Sequence, residues 1–356
     1  MKTDTVLQQD MENICSVDFI DWNRFNGKTI LITGATGLIG FTIVNALLYA
    51  NKKRDLNLTV LALVRSESRA KERFAEHNGD SSLKFVVGSV EDLPDFEGAV
   101  DFIIHGASQT ASRMMVEQPV ETILTAVKGT KNLLDLAKEK NVEGMVYLSS
   151  MEMYGHPERG HKVTEDEAGA ISPLNVRNSY PISKQQCESL CCSYASEYGV
   201  SVMIARLTQT FGPGVNYNDT RVFAYFGKCV AEKKDIVLKT KGETERSYLY
   251  TADATTAILA VMLNGKSGDA YNMADENTYC SIAEVAQRVA ESGGVKVRFE
   301  TQNTAVSCYP DAVYMDLDTS KLKALGWKVL YSGGLQEIYG RMATHITEEL
   351  HSGKSL

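Results

Sequence analysis

The hydrophobic pattern of the chain alternates between short apolar runs and longer periodic stretches. The run Lys28–Thr33 is apolar and β-branched, which is typical of a strand buried on both faces, and it stops at a cluster of glycines. The stretch Phe41–Tyr49 then predicts a helix, and Pro119–Lys140 predicts another. The other predicted strands are Leu58–Val64, Lys84–Val87, Asp101–His105, Met145–Ser149 and Val200–Arg206.

Strands that alternate with helices predict an α/β fold, in which a doubly wound parallel sheet of Rossmann type has helices on both faces. Residues 1–27 are polar with a few apolar anchors and predict an N-terminal extension, with a short helix packed on the main domain. Residues 28–211 are the expected dinucleotide-binding domain. Glycine and proline become more frequent from residue 212, so residues 212–347 are expected to be mainly a smaller α+β substrate-binding subdomain, followed by a flexible tail at 348–356.

Composition excludes several classes of protein. The 356 residues are 44% hydrophobic and 23% charged, as in ordinary globular proteins, and no run of about eighteen apolar residues or secretory leader is visible. We therefore expect a cytoplasmic protein with no membrane partner. The net charge of −8 disfavours nonspecific binding of nucleic acid, although local arginines and amides can still hold an anionic small molecule.

The seven cysteines and six histidines show no metal-ligand spacing, so neither a disulfide framework nor a metal site is predicted. Cys187, Cys191 and Cys192 are interpreted as small apolar residues on a packed helix.

The glycine cluster lies between a predicted strand and a predicted helix, which is the order that a dinucleotide site requires. Glycines let the backbone approach a pyrophosphate, whose charge is stabilised by the free amides at the start of the helix. A plain tight turn is the alternative, and the flanking elements favour the cofactor. The residues expected to contact it are Gly34, Thr36, Gly37, Leu38, Ile39 and Gly40.

The second predicted strand ends at Arg65. An acid at this place bonds the ribose 2′-hydroxyl of NAD, whereas an arginine suits the 2′-phosphate of NADP. Arg65 therefore favours NADP, although stacking on adenine or exposure to solvent remains an alternative role for it.

Tyr180 and Lys184 stand four residues apart at the start of a predicted helix, so their side chains share one face. A nearby ammonium stabilises a phenolate, which predicts a lowered pKa for Tyr180 and a base for a substrate hydroxyl. Taken alone, such a pair is more often part of an amphipathic surface.

Further polar residues follow other predicted strands, where ligands of a parallel sheet collect. Ala107 and Ser108 follow one strand, and Ser150 with Glu152 follows another. In the second half, Arg221 and Arg246 lie in polar clusters that would clamp a diphosphate, unless each is a solvated loop residue.

Five motifs in this order resemble the extended short-chain dehydrogenase/reductases, in particular the nucleotide-sugar epimerases, dehydratases and decarboxylases. The resemblance runs from about Lys28 to Trp327. The motifs are the glycines Gly34, Gly37 and Gly40; Ser150 with Tyr154-Gly155; Tyr180 and Lys184; the segment RLTQTFGPG from Arg206 to Gly214; and Arg246 before Tyr250 and Asp253.

The resemblance implies that Tyr180 is the catalytic acid/base and that Lys184 binds the nicotinamide ribose and lowers the tyrosine's pKa. Ser150 would hydrogen-bond the reacting sugar oxygen, and Glu152 either assists in proton transfer or accepts a structural hydrogen bond. Ala107 is expected at the NAD(P) cofactor, and Ser108 and Gln209 at the substrate. Gln209 stands where an asparagine is usual in the family.

Family members oxidise the sugar, usually at C4, and differ in what the ketone then does. Dehydratases have an acid pair after the serine position, whereas this chain has Met151-Glu152, which weakens dehydration. Asn218-Asp219-Thr220-Arg221 looks like a segment of the UDP-glucuronate decarboxylases. We therefore expect an epimerase or decarboxylase-like enzyme, with an NADPH-dependent reductase of a nucleotide-linked keto compound and a non-catalytic NAD(P)-binding protein as alternatives.

The resemblance also implies a homodimer formed through the helix of Tyr180 and the Pro119–Lys140 helix. Leu190, Cys191 and Tyr194 fit such an interface and fit a monomer's core equally well.

Overall fold

The computed structural model describes residues 5–109, 112–300 and 312–352. The strands are β1 (Thr29–Thr33), β2 (Thr59–Val64), β3 (Leu83–Val87), β4 (Phe102–His105), β5 (Gly144–Ser150), β6 (Lys162–Val163), β7 (Val202–Leu207), β8 (Gln209–Phe211), β9 (Ile236–Leu238), β10 (Glu245–Tyr250), β11 (Ala270–Met273), β12 (Asp275–Ser281), β13 (Val297–Phe299) and β14 (Tyr314–Leu317).

The helices are α1 (Thr5–Ser16), α2 (Leu38–Arg54), α3 (Glu67–Arg73), α4 (Ser112–Glu117), α5 (Pro119–Lys140), α6 (Ser179–Tyr198), α7 (Val222–Ala231), α8 (Thr251–Asn264), α9 (Ile282–Gly293), α10 (Ser320–Lys323) and α11 (Gly334–Ser352). Short 3₁₀ turns occur at Trp22–Phe25, Ala75–His77, Met151–Tyr154 and Val176–Asn178.

Seven strands form one sheet in the order β11-β7-β5-β4-β1-β2-β3. Every neighbouring pair is parallel, which confirms the predicted Rossmann-type sheet. The chain runs outward from β1 to β2 and β3, then returns to β4 on the other side of β1. The carboxyl ends of β1 and β4 are therefore the switch point at which a ligand crevice opens.

The six predicted strands agree with β1 to β5 and β7 to within two residues, whereas β11 was not predicted, and α5 begins and ends as predicted. Helix α2 is longer than the apolar stretch that predicted it. It begins at Leu38, inside the glycine segment, and ends at Arg54. The glycine segment is thus the N-terminus of the helix itself, which brings its amides to the carboxyl end of β1.

The C-terminal half builds a second sheet in the order β12-β10-β14-β6, in which β8 also pairs with β10, and a small pair of β9 and β13. Two elements of this half join the first domain: β11 pairs with β7 in the first sheet, and α8 packs on β5 and β7 of that sheet. The predicted boundary near residue 212 therefore divides the sequence motifs, but elements from both sides of it pack together in the structure.

The leading segment contains helix α1, which packs on α2 and α8. Its Asp10 is buried and accepts hydrogen bonds from the hydroxyls of Tyr250 and Tyr331 and from the Arg341 guanidinium. Burial raises the pKa of Asp10. The N-terminal segment is therefore tied into the C-terminal half by a buried carboxylate.

Two predictions about the surface are wrong. The tail predicted from Glu348 continues helix α11 to Ser352, and Thr5 donates a hydrogen bond of 2.9 Å to Glu348, so the helix end packs on α1. Residues 353–356 lie outside the described part of the chain. Cys192 is exposed, because only Cys187 and Cys191 lie on the buried face of α6. Within the described ranges, no helix is long and apolar enough to cross a membrane.

Candidate active site

The turn after β1 has no room for a side chain at Gly34 or Gly40. Gly34 has φ +70°, and a Cβ on it would lie 2.7 Å from the carbonyl carbon of Gly106, in the loop after β4. A Cβ on Gly40 would lie 2.3 Å from the carbonyl oxygen of Gly34. These contacts let β1, β4 and α2 meet closely at the switch point, so the turn needs glycine at both positions.

The first turn of α2 is suited to an anion. Gly37 is its N-cap and has no capping side chain, and a helix leaves its first amides without partners inside the helix. Thr36 and Gly37 are exposed, while Leu38 and Ile39 are half-buried. Free amides on the positive end of a long helix fit the pyrophosphate of a dinucleotide.

A buried polar relay supports this turn, and the sequence did not predict it. The Thr33 hydroxyl accepts from the Ala107 amide at 3.1 Å and is hydrogen-bonded to Nδ1 of His105 at 2.7 Å. Nε2 of His105 contacts the Thr130 hydroxyl at 3.3 Å. Burial lowers the pKa of His105 to about 3, and the imidazole is neutral. The relay fixes the loop that contains Ala107 against β1.

Arg65 directly follows β2 and is exposed. Its guanidinium forms no ion pair or hydrogen bond with any residue of the described ranges, so its donors are available to a ligand at this edge of the sheet. Ser108 is half-buried in the loop after β4. Both lie at the carboxyl end of the sheet, as the order of the elements predicted.

Ser150, the last residue of β5, meets Tyr180 from the first turn of α6. Ser150 Oγ accepts the Glu152 amide proton at 3.2 Å. The Ser150 side chain is close enough to the Tyr180 phenol to lower its pKa, and Glu152 is close enough to raise it. The structure thus brings the three predicted residues together.

The sequence predicted a lowered pKa for Tyr180, and this prediction is wrong, because the structure raises it. Burial raises this pKa, and the negative charge of Glu152 raises it further, while the Ser150 hydrogen bond and the positive charge of Arg221 lower it. Tyr180 is 7% exposed, so the phenolate loses most of its hydration. The pair with Lys184 does not overcome this loss.

Lys184 is buried below Tyr180 on the same face of α6. Its ammonium donates to the carbonyl of Leu148 at 2.7 Å and lies 5.5 Å from the ring centre of Tyr180 and 4.7 Å from that of Tyr147. Burial lowers the pKa of Lys184 to about 8. An ammonium with a pKa in this range is easily modulated by neighbouring charges.

Three predicted substrate residues come from the second half. Arg221 is the N-cap of α7, pairs with Asp219 at 2.6 Å, and is close enough to Tyr180 to lower its pKa. Arg246 lies on β10, and its buried Nε has no hydrogen-bond partner among the described residues. Gln209 begins β8 and pairs with Tyr248 of β10. Arg221 is thus linked to the catalytic pair, and Arg246 has a donor to offer a ligand.

Met151 is buried beside the catalytic serine. It packs in a small apolar cluster with Tyr154 and Met315, and its sulfur lies 3.2 Å from the Thr208 hydroxyl. Glu152 is the one acidic residue in the Met151–Tyr154 turn.

A buried ion pair beside the site was also missed. Glu188 follows Lys184 by one helical turn on α6 and pairs with Arg206 of β7 at 2.8 Å. The spacing of Tyr180, Lys184 and Glu188 on one helical face was a signal for the acid. Its partner on β7 could not be inferred from spacing.

A glycine cradle at the switch point, beside a serine, tyrosine and lysine at neighbouring strand ends, defines a nicotinamide-dependent oxidoreductase of Rossmann type. The model of the NAD dependent epimerase/dehydratase family matches residues 30–274, more than half of the chain, so the chain belongs to this family and the resemblance seen in the motifs is confirmed.

Known relatives agree with this assignment. UDP-glucuronic acid decarboxylase 1 of Xenopus tropicalis is 28% identical over 85% of this chain and 68% of its own length. UDP-glucose 4-epimerase of Thermotoga maritima, solved with UDP-glucose, has a TM-score of 0.73 at 22% identity and covers 90% of this chain and 99% of its own. UDP-glucuronic acid 4-epimerase of Bacillus cereus, solved with UDP-glucuronic acid and NAD, has a TM-score of 0.71 at 19% identity, with 90% and 99% covered.

Proposed function

We propose that this protein is an enzyme that oxidises a hydroxyl-bearing carbon of a nucleotide-activated sugar and then reduces the ketone again, as an epimerase or a decarboxylase does. The observation that carries the proposal is the meeting of Ser150 and Tyr180 above a buried Lys184, at the strand end next to the glycine cradle. This arrangement moves a proton at a hydroxyl group. The similarity to enzymes of UDP-sugars supports a nucleotide sugar as the substrate.

The cradle fits NAD(P), because it offers the close backbone approach and the helix amides that a pyrophosphate needs. We infer that the pyrophosphate binds at Gly34–Gly40, the adenosine ribose near Arg65, and the nicotinamide ribose near Tyr180 and Lys184. When bound, the cofactor supplies the hydride acceptor and later the hydride donor. The unpaired guanidinium of Arg65 favours NADP over NAD.

Each catalytic side chain has one task in this proposal. Ser150 holds the reacting sugar oxygen and stabilises the phenolate by donating to it. Tyr180 takes the hydroxyl proton during oxidation and returns it during reduction. Lys184 provides a positive charge that favours the phenolate. Glu152, which has no hydrogen-bond partner for its carboxylate in the described ranges, assists in the acid/base chemistry at the same carbon.

A uronic acid is the substrate that the charges favour most. Arg221 is close enough to Tyr180 to lower the pKa of the phenol, which supports a place for its guanidinium at the reacting end of the site. A sugar carboxylate beside Glu152 needs such a cation to offset the repulsion between the two acids. Arg246, with its unpartnered Nε, would then hold the diphosphate. This makes decarboxylation or epimerisation of a nucleotide-linked uronic acid the first reaction to test.

Dehydration is less favoured, because Met151 is buried in the apolar cluster and contributes no acid. Net reduction by NADPH is the second candidate, and Arg65 is the residue that supports it. A binding protein without catalysis would have no use for the Ser150–Tyr180–Lys184 set.

We further propose that the enzyme works in the cytoplasm as a homodimer. Apolar side chains are exposed together along α4 and the start of α5, at Val116, Val120, Ile123 and Leu124. Cys191 and Tyr194 are buried in the monomer's own core, and Leu190 packs against it, so these residues do not supply the interface. The exposed start of α5 is the surface that a second copy would cover.

The test begins with the purified protein. Denaturation releases any retained nucleotide for identification, and a panel of UDP-, CDP-, dTDP- and GDP-sugars that includes uronic acids is then followed by NMR. We expect a converted sugar without net change in nicotinamide absorbance. Stoichiometric oxidation of NADPH would replace the proposal with the reductase, and a panel without turnover would favour the binding protein.

A further inference from the structure

The buried face of α6 continues past the catalytic pair. Tyr180, Lys184 and Glu188 stand one helical turn apart, and all three are buried. Glu188 is 6% exposed and its partner Arg206 is 7% exposed. A buried ion pair adds little to stability compared with apolar packing, so its presence beside an active site calls for another reason.

Glu188 binds the strand that ends in the catalytic serine. The hydroxyl of Ser149 donates to Glu188 Oε1 at 2.5 Å. Arg206 donates from Nε to both oxygens at 3.1 Å and from Nη2 to Oε2 at 2.8 Å. The acid therefore links α6 to the last residues of β5, directly before Ser150.

Arg206 holds the other end of the same segment. Its Nη1 donates to the Tyr154 hydroxyl at 2.7 Å and to the Glu165 carbonyl at 2.8 Å, and the Tyr154 hydroxyl donates to Asn272 at 2.7 Å. Tyr154 ends the 3₁₀ turn that contains Glu152. The segment from Ser149 to Tyr154 is thus fixed at both ends by one ion pair.

We propose that Glu188 and Arg206 are positioning residues of the reaction: their ion pair fixes Ser150 and Glu152 against Tyr180, and it holds the Glu188 carboxylate one helical turn from the Lys184 ammonium on the same buried face of α6. The inference rests on the proposed function, because it assigns these two residues to the same proton-transfer site. Neither residue touches the reacting atoms, and both act through Ser149, Tyr154 and Lys184.

Neighbouring titratable groups act on the charge of Lys184. Burial lowers the pKa of Lys184, and Cys187, Glu188, Cys191 and Glu152 oppose that lowering, in this order of size. Without Glu188 the ammonium would lose its proton at a lower pH. The titratable groups that surround Lys184 are Tyr180, Cys187, Glu188 and Cys191 on its own helix, His105 on β4, Tyr147 on β5 and Glu152 on the 3₁₀ turn.

The decisive variant is Glu188→Gln, which keeps the size and one acceptor oxygen and removes the charge. We expect kcat to fall about tenfold or more, KM for the sugar nucleotide to change less than about threefold, and the alkaline limb of the kcat profile to move down by about one pH unit. In lysine-labelled protein, the NMR titration of Lys184 should move by the same amount.

The matched control is Glu165→Gln. Glu165 belongs to the same network, through its carbonyl to Arg206 and its carboxylate to the Asn272 amide, but it is not among the groups with the largest effect on the pKa of Lys184. We expect this variant to keep the Lys184 titration and the alkaline limb of the wild type. A general loosening of the network would move both variants alike.

Glu188→Asp keeps the charge and shortens the arm, and it provides a second measurement if Glu188→Gln folds poorly. It should lower kcat while leaving the titration of Lys184 within about 0.3 units. An unchanged Lys184 titration in Glu188→Gln would overturn the inference even if activity fell. If Glu188→Gln moved the Lys184 titration but the wild-type protein converted no sugar nucleotide, the proposed function would be overturned instead.

Discussion

The side chain of Ser150 lies beside the phenol of Tyr180, although one residue closes a strand of the main sheet and the other lies in the first turn of a helix. The serine oxygen accepts the Glu152 amide proton, and the serine side chain lowers the pKa of the phenol. The relationship makes these two residues a single proton-transfer unit, and several outcomes depend on it.

Removal of the phenol should abolish most turnover. We expect Tyr180→Phe to lower kcat about 100-fold or more with little effect on KM, because the hydroxyl acts in proton transfer rather than in holding the substrate. Steady-state kinetics on the sugar nucleotide measure this. Tyr194→Phe is the control, because Tyr194 lies on the same helix and, within the described ranges, its hydroxyl bonds Asp135 alone. This variant should keep full activity.

Turnover should decline in mildly alkaline solution. Burial lowers the pKa of Lys184 to about 8, so the ammonium is present below that pH and is lost as the pH rises through it. The phenolate of Tyr180 then loses its cation, and kcat should fall about tenfold for each further pH unit. A kcat profile that stays level to about pH 9.5 would show that the charge of Lys184 has no part in the reaction.

Arg65 should decide between the two cofactors. Loss of its charge-assisted hydrogen bonds in Arg65→Ser should weaken NADPH binding about 10- to 100-fold and leave NADH binding within about threefold. Fluorescence titration of both cofactors measures the ratio. Lys71→Ser removes a nearby exposed cation that pairs with Glu67, and it should not alter the preference. Equal losses for both cofactors in Arg65→Ser would assign the arginine to adenine.

Met151 should not be a latent catalytic position. We expect Met151→Asp to lower the free energy of unfolding by about 2–4 kcal/mol, because a carboxylate would enter an apolar cluster without a partner. Met151→Leu, which keeps the volume, should cost less than about 1.5 kcal/mol. Denaturant unfolding measures both. If Met151→Asp were stable and released a dehydrated sugar, the side chain would have to face the substrate.

The sequence predicted the sheet well because glycines, β-branched runs and helical periods act locally. Gly34 and Gly40 marked the cradle, and the i, i+4 spacing placed Tyr180 above Lys184. Contacts between distant segments were invisible, above all the reach of Arg206 from β7 to Glu188. The sign of the Tyr180 pKa was wrong for the same reason, because burial depends on everything that packs around the phenol.

In the proposed reaction, hydride leaves the substrate and returns to it within one active site. The direct measurement uses a nucleotide-linked uronic acid that carries deuterium at the carbon to be oxidised, with the product followed by NMR and the nicotinamide by absorbance. The account predicts that the product keeps the deuterium, that the absorbance shows no net change, and that Tyr180→Phe is nearly inactive. Loss of the deuterium from the sugar with matching formation of reduced nicotinamide, or full turnover by Tyr180→Phe, would contradict this reaction.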